Sequence, residues 1–417
     1  MRMIPNRTTL SMLLLILCAA PLTLEARAVS GVAKQPNPDP PIFSRLFQNP
    51  TNNNGYEEFV RAADLVRYID DVDTAAQPGA SLQIKRNVLS NPACSSALSL
   101  VREGLAKPVK SPRASYDENT LFPELSLFRR LGKLFTIEQY VDFADGRVDA
   151  AVNDLRVGLT FGYRIQTDTL ISGLVGVAVS TIVTKEFASH VDQLSIYQCD
   201  DVLSFARQLL EADPPGASIM SKEKASTLSM LDKRRSDPTG LLAIFADISP
   251  VLSPLEASAL NTLKTNLGAS PGGVSSIIDG AEAKMSALYD QAAANMRLPV
   301  DQRVPLKMDT SDTPDSILFR LVSVNPQNIV DRYTADRARI RLLAVSVLIR
   351  RFQWDHNALP GSLGDLHADD LVIDPFTGIE IIYKRDGDRY TLSSAGPRKL
   401  DGATGEPTKE RTPVTLR

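Results

Sequence analysis

The sequence predicts a mainly α-helical chain, an irregular array of helical hairpins, that ends in a small C-terminal α+β unit built from a long helix and a β-hairpin. Three observations carry this expectation. Apolar residues recur at spacings of three and four from Gly55 to about residue 235. Strong breakers interrupt that period at short intervals. The period changes to two only in residues 374–397, DPFTGIEIIYKRDGDRYTLSSAGP. With 417 residues, 43% hydrophobic and 23% charged, the chain has material for two or three domains. A formal net charge of -3 gives no reason to expect nucleic acid or an anionic membrane as partner, because binders of either concentrate Lys and Arg.

In chain order, Arg2 and Arg7, the apolar run Leu10 to Leu24 and the triplet Ala26-Arg27-Ala28 have the pattern of a secretory signal peptide, so residues 1–28 are expected to be removed by cleavage after Ala28. The run falls short of the ~20 residues that a spanning helix needs. We therefore expect export to the periplasm or outside the cell, with no stable membrane span after cleavage. Leu17 stands where a lipoprotein signal would need a small residue before Cys18. Cleavage leaves Cys94 and Cys199, which permit one disulfide in an oxidising compartment. Sequence separation does not fix the distance between their Cβ atoms, so a bridge and two separate buried thiols both stand.

Residues 29–54 are polar and proline-rich and read as a disordered linker. A helical domain then spans 55–235. In GYEEFVRAADLVRYI, Tyr56, Phe59, Ala63, Val66 and Ile69 form one stripe. Pro78-Gly79, Asn91-Pro92, Lys107-Pro108, Asp145-Gly146 and Pro214-Pro215-Gly216 divide the rest of this domain into hairpins, with Ala150, Ala151 and Gly158 small enough for close helix contact. No period holds over three units, which argues against a solenoid. Residues 169–184 carry no charge and place Ser172, Gly176 and Ser180 four apart, the spacing of a tight helix–helix contact, and are assigned to the core. Residues 236–330 are expected to be less regular, with a thin core and one helix over SSIIDGAEAKMSALYDQAAANM.

The unit at 331–400 opens with the helix DRYTADRARIRLLAVSVLIRRFQW, where Tyr333, Ile340, Ala344 and Val347 share a face. Its Arg332, Arg337, Arg339, Arg341, Arg350 and Arg351 lack interleaved aromatics and read as a solvated or salt-bridged face. In the hairpin around Asp386-Gly387, Ile379, Ile381 and Tyr383 on one strand and Tyr390 and Leu392 on the other are expected to form an apolar face lying on that helix. Residues 401–417 read as a tail.

The long helix, the connection LPGSLGDL, then Asp374-Pro375-Phe376 with Gly378, the hairpin and Tyr390-Thr391-Leu392-Ser393-Ser394-Ala395-Gly396 together resemble the globular end of type II secretion major pseudopilins. The resemblance covers roughly residues 335–400. A pseudopilin begins with a cleaved leader and a polymerising hydrophobic helix, whereas here the region lies at the C-terminal end of a larger chain. Taken with NNNGYEEFVRAADLV, LVREGLAKP and ISGLVGVAV, the chain looks like a group of uncharacterised exported bacterial proteins that join a helical region to such a tail. Major pseudopilins bind calcium in a loop after the last strand. Among Asp386, Asp388, Asp401 and Glu406, the resemblance therefore implies Asp401 and Glu406 as the metal ligands.

Motifs for chemistry are sparse. His190, His356 and His367 have no zinc-ligand spacing, and the chain has no nucleophile elbow, phosphate loop or dinucleotide fingerprint. Glu138, Asp142, Asp145 and Asp149 fall near one helical face, where paired acids could cleave a glycosidic bond, but Asp145-Gly146 should break that helix. The sequence thus points to an exported, non-catalytic interaction or envelope-associated protein with a protein partner and no cofactor. An enzyme of unfamiliar type and a component of a secretion or pilus-like apparatus are the alternatives. One consequence is direct: Edman sequencing of the exported protein should begin at Val29, and a start at Met1 would refute the signal peptide.

Overall fold

The computed structural model describes residues 40–113, 120–167, 169–235, 258, 261–265, 274–323, 325–368, 370–400 and 407–416. The expected signal peptide lies outside them. The architecture is two helical cores bridged by two helices, Leu170–Ala188 and the longer Pro326–His356, with two small antiparallel sheets at the C-terminal end.

The expected linker is a built segment from Pro40 onward. Helix α1 (Ile42–Leu46) buries Ile42, and its first backbone N–H groups, those of Ile42 and Phe43, donate to the Asp64 carboxylate at 2.9 and 2.8 Å. Glu57 accepts from the backbone N–H groups of Thr51 and Asn52 at 2.9 Å each. Carboxylates supplied from the next helix thus order a stretch whose own composition is polar.

Helix α2 (Gly55–Val66) starts where the sequence places it, with the Asn54 side chain accepting from Tyr56 N–H. Its stripe Tyr56, Phe59, Ala63 and Val66 is buried. Helices α3 (Asp71–Ala75), α4 (Leu82–Leu89), α5 (Pro92–Leu105), α6 (Pro123–Ala144), α7 (Val148–Arg164), α8 (Leu170–Ala188) and α9 (Ile196–Glu211) complete the first core, and every expected breaker falls between helices or at a helix start. At its centre Phe59, Phe128 and Phe161 meet edge to face, with ring centroids 5.0–6.4 Å apart. Helix α8 is the described helix long and apolar enough to cross a membrane, and it is a core helix here. Its small residues work as the spacing predicts: a Cβ on Gly176 would stand 2.3 Å from the Gly162 carbonyl oxygen, so α7 and α8 touch through glycine.

Helices α10 (Pro215–Lys233), α11 (Val274–Arg297) and α12 (Pro314–Val322) build the second core. It is fuller than expected. Ala281, Ala292 and Ala293 let the helices approach while Met285, Tyr289, Leu318 and Phe319 fill the space between them.

Helix α13 (Pro326–His356) begins earlier than its apolar pattern, because Asn325 caps it and Pro326 occupies the first turn. Ile329, Val330 and Tyr333 belong to the second core, whereas Ala338 through Ile349 run into the first. Of the arginines expected to form a solvated or salt-bridged face, Arg351 is salt-bridged, to Asp200 at 3.4 Å and to Asp355, and three others bind backbone carbonyls instead. Arg337 donates to the Leu210 carbonyl in the last turn of α9, Arg341 to the carbonyls of Asp370 and Ile373, and Arg350 to that of Leu194 at 3.2 Å, beside the Trp354 indole N–H at 2.9 Å on the same oxygen. Carbonyls left over at helix ends need such donors.

Strands β1 (Ile382–Asp386) and β2 (Arg389–Ser393) form the expected hairpin, in register Asp386 to Arg389. The central turn residues are therefore Gly387 and Asp388 rather than Asp386 and Gly387, with the positive φ of 60° at Gly387 alone. Tyr383, Tyr390 and Leu392 pack on the first core and Ile381 is buried, but Ile379 is 68% exposed. It precedes the strand, in a turn where Gly378 has φ 72°, so the alternation does not reach it.

The expected tail is part of the fold. Strand β3 (Arg398–Leu400) pairs with β4 (Pro407–Arg411), Ser394 pairs with Val414, and Val414 and Leu416 are buried in the first core. At the corner, Gly396 has φ 72°, and a Cβ there would stand 1.8 Å from the Thr412 carbonyl oxygen. Gly396→Ala should accordingly cost at least about 2 kcal/mol in urea unfolding. An unchanged midpoint would mean that the C-terminal strands do not hold this corner.

Candidate functional site

The C-terminal unit is organised by Asp374, which is almost completely buried. Its Oδ1 accepts from the backbone N–H of Phe376 and from the Ser394 hydroxyl, both at 2.9 Å, and its Oδ2 accepts from Ala395 N–H at 2.6 Å. The Asp374 N–H in turn donates to the Ile379 carbonyl at 2.7 Å. One carboxylate thereby ties the turn DPFTG to the segment SSAG, two separate pieces of sequence. A cleft of about 230 Å³ is lined by Ala188 of α8, Ser346 of α13, Tyr390, Thr391, Leu392 and Ser393 of β2, and Thr415 and Leu416. Its lining combines apolar groups, an aromatic ring included, with hydroxyls and holds no carboxylate, imidazole or amine among these residues.

Asp401 and Glu406 lie outside the described residues. Asp386 is engaged in the first strand pair and Asp388 in the turn, both exposed. Among the described residues no group of three or more His, Cys, Asp or Glu could hold a metal ion. Cys94 and Cys199 are free and buried, in α5 and α9, and burial pushes both thiols up, Cys199 to about 11.

The sequence face Glu138, Asp142, Asp145 and Asp149 is dispersed by the break at Gly146, where φ is 72°. Asp142 binds Arg147 at 2.6 Å, Asp145 binds Arg86 and Arg147, and Asp149 accepts from the Gln198 amide at 2.6 Å. Glu138 instead shares a partner with another acid, Asp154 of α7. Both accept from the single nitrogen Nη2 of Arg102, at 2.6 and 2.7 Å. Burial raises both acids against the pull of the guanidinium; the Glu138 charge adds to the rise at Asp154, whereas at Glu138 it is Asp142 that adds to it and a hydrogen bond with Asp154 that opposes it. Glu138 was legible in the sequence, whereas its partner sits on a different helix and carries no local signal.

Two further arrangements are chemically suggestive. Lys284 donates to Ser316 Oγ, the pairing in which a neutral amine could activate a hydroxyl. Burial pulls the Lys284 ammonium down, but Asp309 and Asp315, at 2.7 Å each, outweigh it and hold the charge. Ser316 is fully buried and donates to Asp309 at 2.7 Å, so the cluster fastens the start of α12. His190 has Glu186 at 3.2 Å, yet it stacks on Phe143 with centroids 4.6 Å apart and meets Tyr140 edge-on, a packed position at the end of α8. His356 stacks on Phe352 in the last turn of α13.

Helix α13 also carries two raised carboxyls. Burial lifts Asp331 and Asp336 from 3.8 to about 6. For a buried acid raised in this way, the folded chain keeps a proton between pH 4 and 6 that the unfolded chain has released, so stability falls with rising pH over that window and is flat above it. For Asp336 the displacement corresponds to ~3 kcal/mol. Asp336→Asn should therefore match the wild type near pH 4 and exceed it at pH 8 by up to about 3 kcal/mol in urea unfolding. An equal difference at both values would refute the buried titration.

Comparison with protein-family models, with curated proteins and with solved structures found no match to the chain.

Proposed function

We propose that the chain is an exported, envelope-associated protein that binds another protein through its C-terminal helix–hairpin unit and performs no chemistry of its own. The observation that carries this reading is the exposure of large apolar side chains on the unit: Trp354 at the end of α13, Ile379 in the turn and Ile382 on β1 are 48, 68 and 40% exposed. Asp374 braces the turn and Arg350 and Trp354 clamp the helix end to Leu194, so these side chains stand on a fixed frame. The signal-peptide pattern and the pseudopilin-like order of helix, DPFTG turn, hairpin and SSAGP support an envelope location and a pilin-like partner surface.

A second reading, an enzyme acting outside the cytoplasm, is favoured by the raised acid pair Glu138 and Asp154, since displaced carboxyls cluster at catalytic sites. Against it stands the burial of Asp154, 2% exposed beneath Arg102.

In-cell crosslinking with mass spectrometry on the tagged protein separates the two. Crosslinks from residues 335–400 onto another envelope protein, lost in Trp354→Ser with Ile382→Ser, are expected. Crosslinks onto secretion or pilus subunits would name the partner class, and crosslinks confined to the chain itself would sink the binding reading.

A further inference from the structure

Where the two cores meet, α13 faces the end of α7 across a cavity of about 10 Å³ lined by Tyr163, Gln166, Met296, Tyr333, Asp336 and Arg337, among others. Three of these carry a buried polar atom with no hydrogen-bond partner: Gln166 Oε1, Tyr333 Oη and Asp336 Oδ1. Their residues are 8, 5 and 3% exposed, so bulk water does not satisfy them. Buried polar atoms are almost always partnered, and three left over around one void is a pattern that calls for a ligand.

We propose that this cavity holds one ordered water molecule that joins α13 to the α7–α8 junction. The volume is that of a single water site. The donor and acceptor count fits as well. The Gln166 amide nitrogen already donates to the Gly162 carbonyl at 3.2 Å, which fixes Oε1 as an acceptor turned the other way. A water donates to Gln166 Oε1 and Asp336 Oδ1 and accepts from the Tyr333 hydroxyl, which settles all three atoms. An anion would meet two acceptors and be repelled. A bare monovalent cation would meet the Arg337 guanidinium at the cavity wall.

The glycines of α8 place the polar heads. A Cβ on Gly173 would stand 2.1 Å from Tyr333 Oη, and one on Gly176 would stand 2.3 Å from Gln166 Cγ. The ring of Tyr333 is also pressed against Gly216, where a Cβ would come within 2.8 Å of it. Tyr333 thus fits a slot between two glycines, its hydroxyl against Gly173 and its ring against Gly216. The small-residue spacing of α8 does more than bring helices together; it leaves room for the Tyr333 hydroxyl and the Gln166 side chain, two of the three groups that the water joins.

The test is a high-resolution crystal structure of the chain grown in a sodium salt and again in a rubidium salt. One density peak within about 2.7–3.2 Å of Gln166 Oε1, Tyr333 Oη and Asp336 Oδ1, without anomalous signal in rubidium, is the expected result. An empty cavity, or an anomalous peak marking a monovalent cation, would overturn the proposal. In solution, Gln166→Leu and Tyr333→Phe each keep most of the side-chain shape and should each lower the urea midpoint by about 0.3–0.5 M. Because both remove a ligand of the same water, the double variant should fall no further than the worse single one. Fully additive losses would mean that no bridge exists.

Discussion

Both hydrophobic cores of this molecule are fastened to one helix. Pro326–His356 spans 31 residues and gives its first turns to one hydrophobic core and the rest to the other. A helix of that length measures about 46 Å. Neither core is closed without it: Tyr333 fills the slot between Gly173 and Gly216, and Leu342 through Val347 are buried nearly all round. Over most of its length this helix has little solvated side on which to place charge, its C-terminal turn excepted. Its arginines therefore reach past their own surroundings to the carbonyl groups of Leu194, Leu210, Asp370 and Ile373. What looks in sequence like a basic strip is a set of ties holding neighbouring chain ends to the central rod.

The polar interior obeys the same logic. Where helices cross at glycine, backbone comes so close that long side chains are displaced to the edge of the contact, and their polar ends meet there. Tyr333 lies against Gly173 and Gln166 against Gly176, with Asp336 across the cavity they line, and Glu138 and Asp154 gather where α6 and α7 share Arg102. Burial then raises the carboxyls at both places. Such titrations are consequences of close packing and do not by themselves mark a reaction.

Local features of the fold are readable in the sequence, and long-range ones are hidden. The start of α2 can be read from Asn54 and the stripe behind it, and the hairpin from its alternation and glycine, because these depend on residues within one or two turns of each other. The order of residues 40–54 depends on Asp64 and Glu57, acids of a helix whose sequence shows only that it is amphipathic. The C-terminal strands escape a sequence reading because Pro407–Arg411 and Val414 show no apolar period; they are ordered by partners at Arg398 and Ser394. Ile379 falls on a strand face only if a true alternation is extended past Gly378, where the backbone turns. The polar seam joins residues more than 150 positions apart, and nothing local announces it.

The two thiols carry a last consequence. Cys94 and Cys199 are shielded by the same packing that closes the first core, and burial keeps them protonated. That protection belongs to the folded state alone. In an unfolded chain both would be ordinary, exposed thiols, open to oxidation and to mispairing with each other or with other proteins. An oxidant that met the chain before α5 and α9 were packed would find both thiols open to it, so their protection is a property of the packing itself.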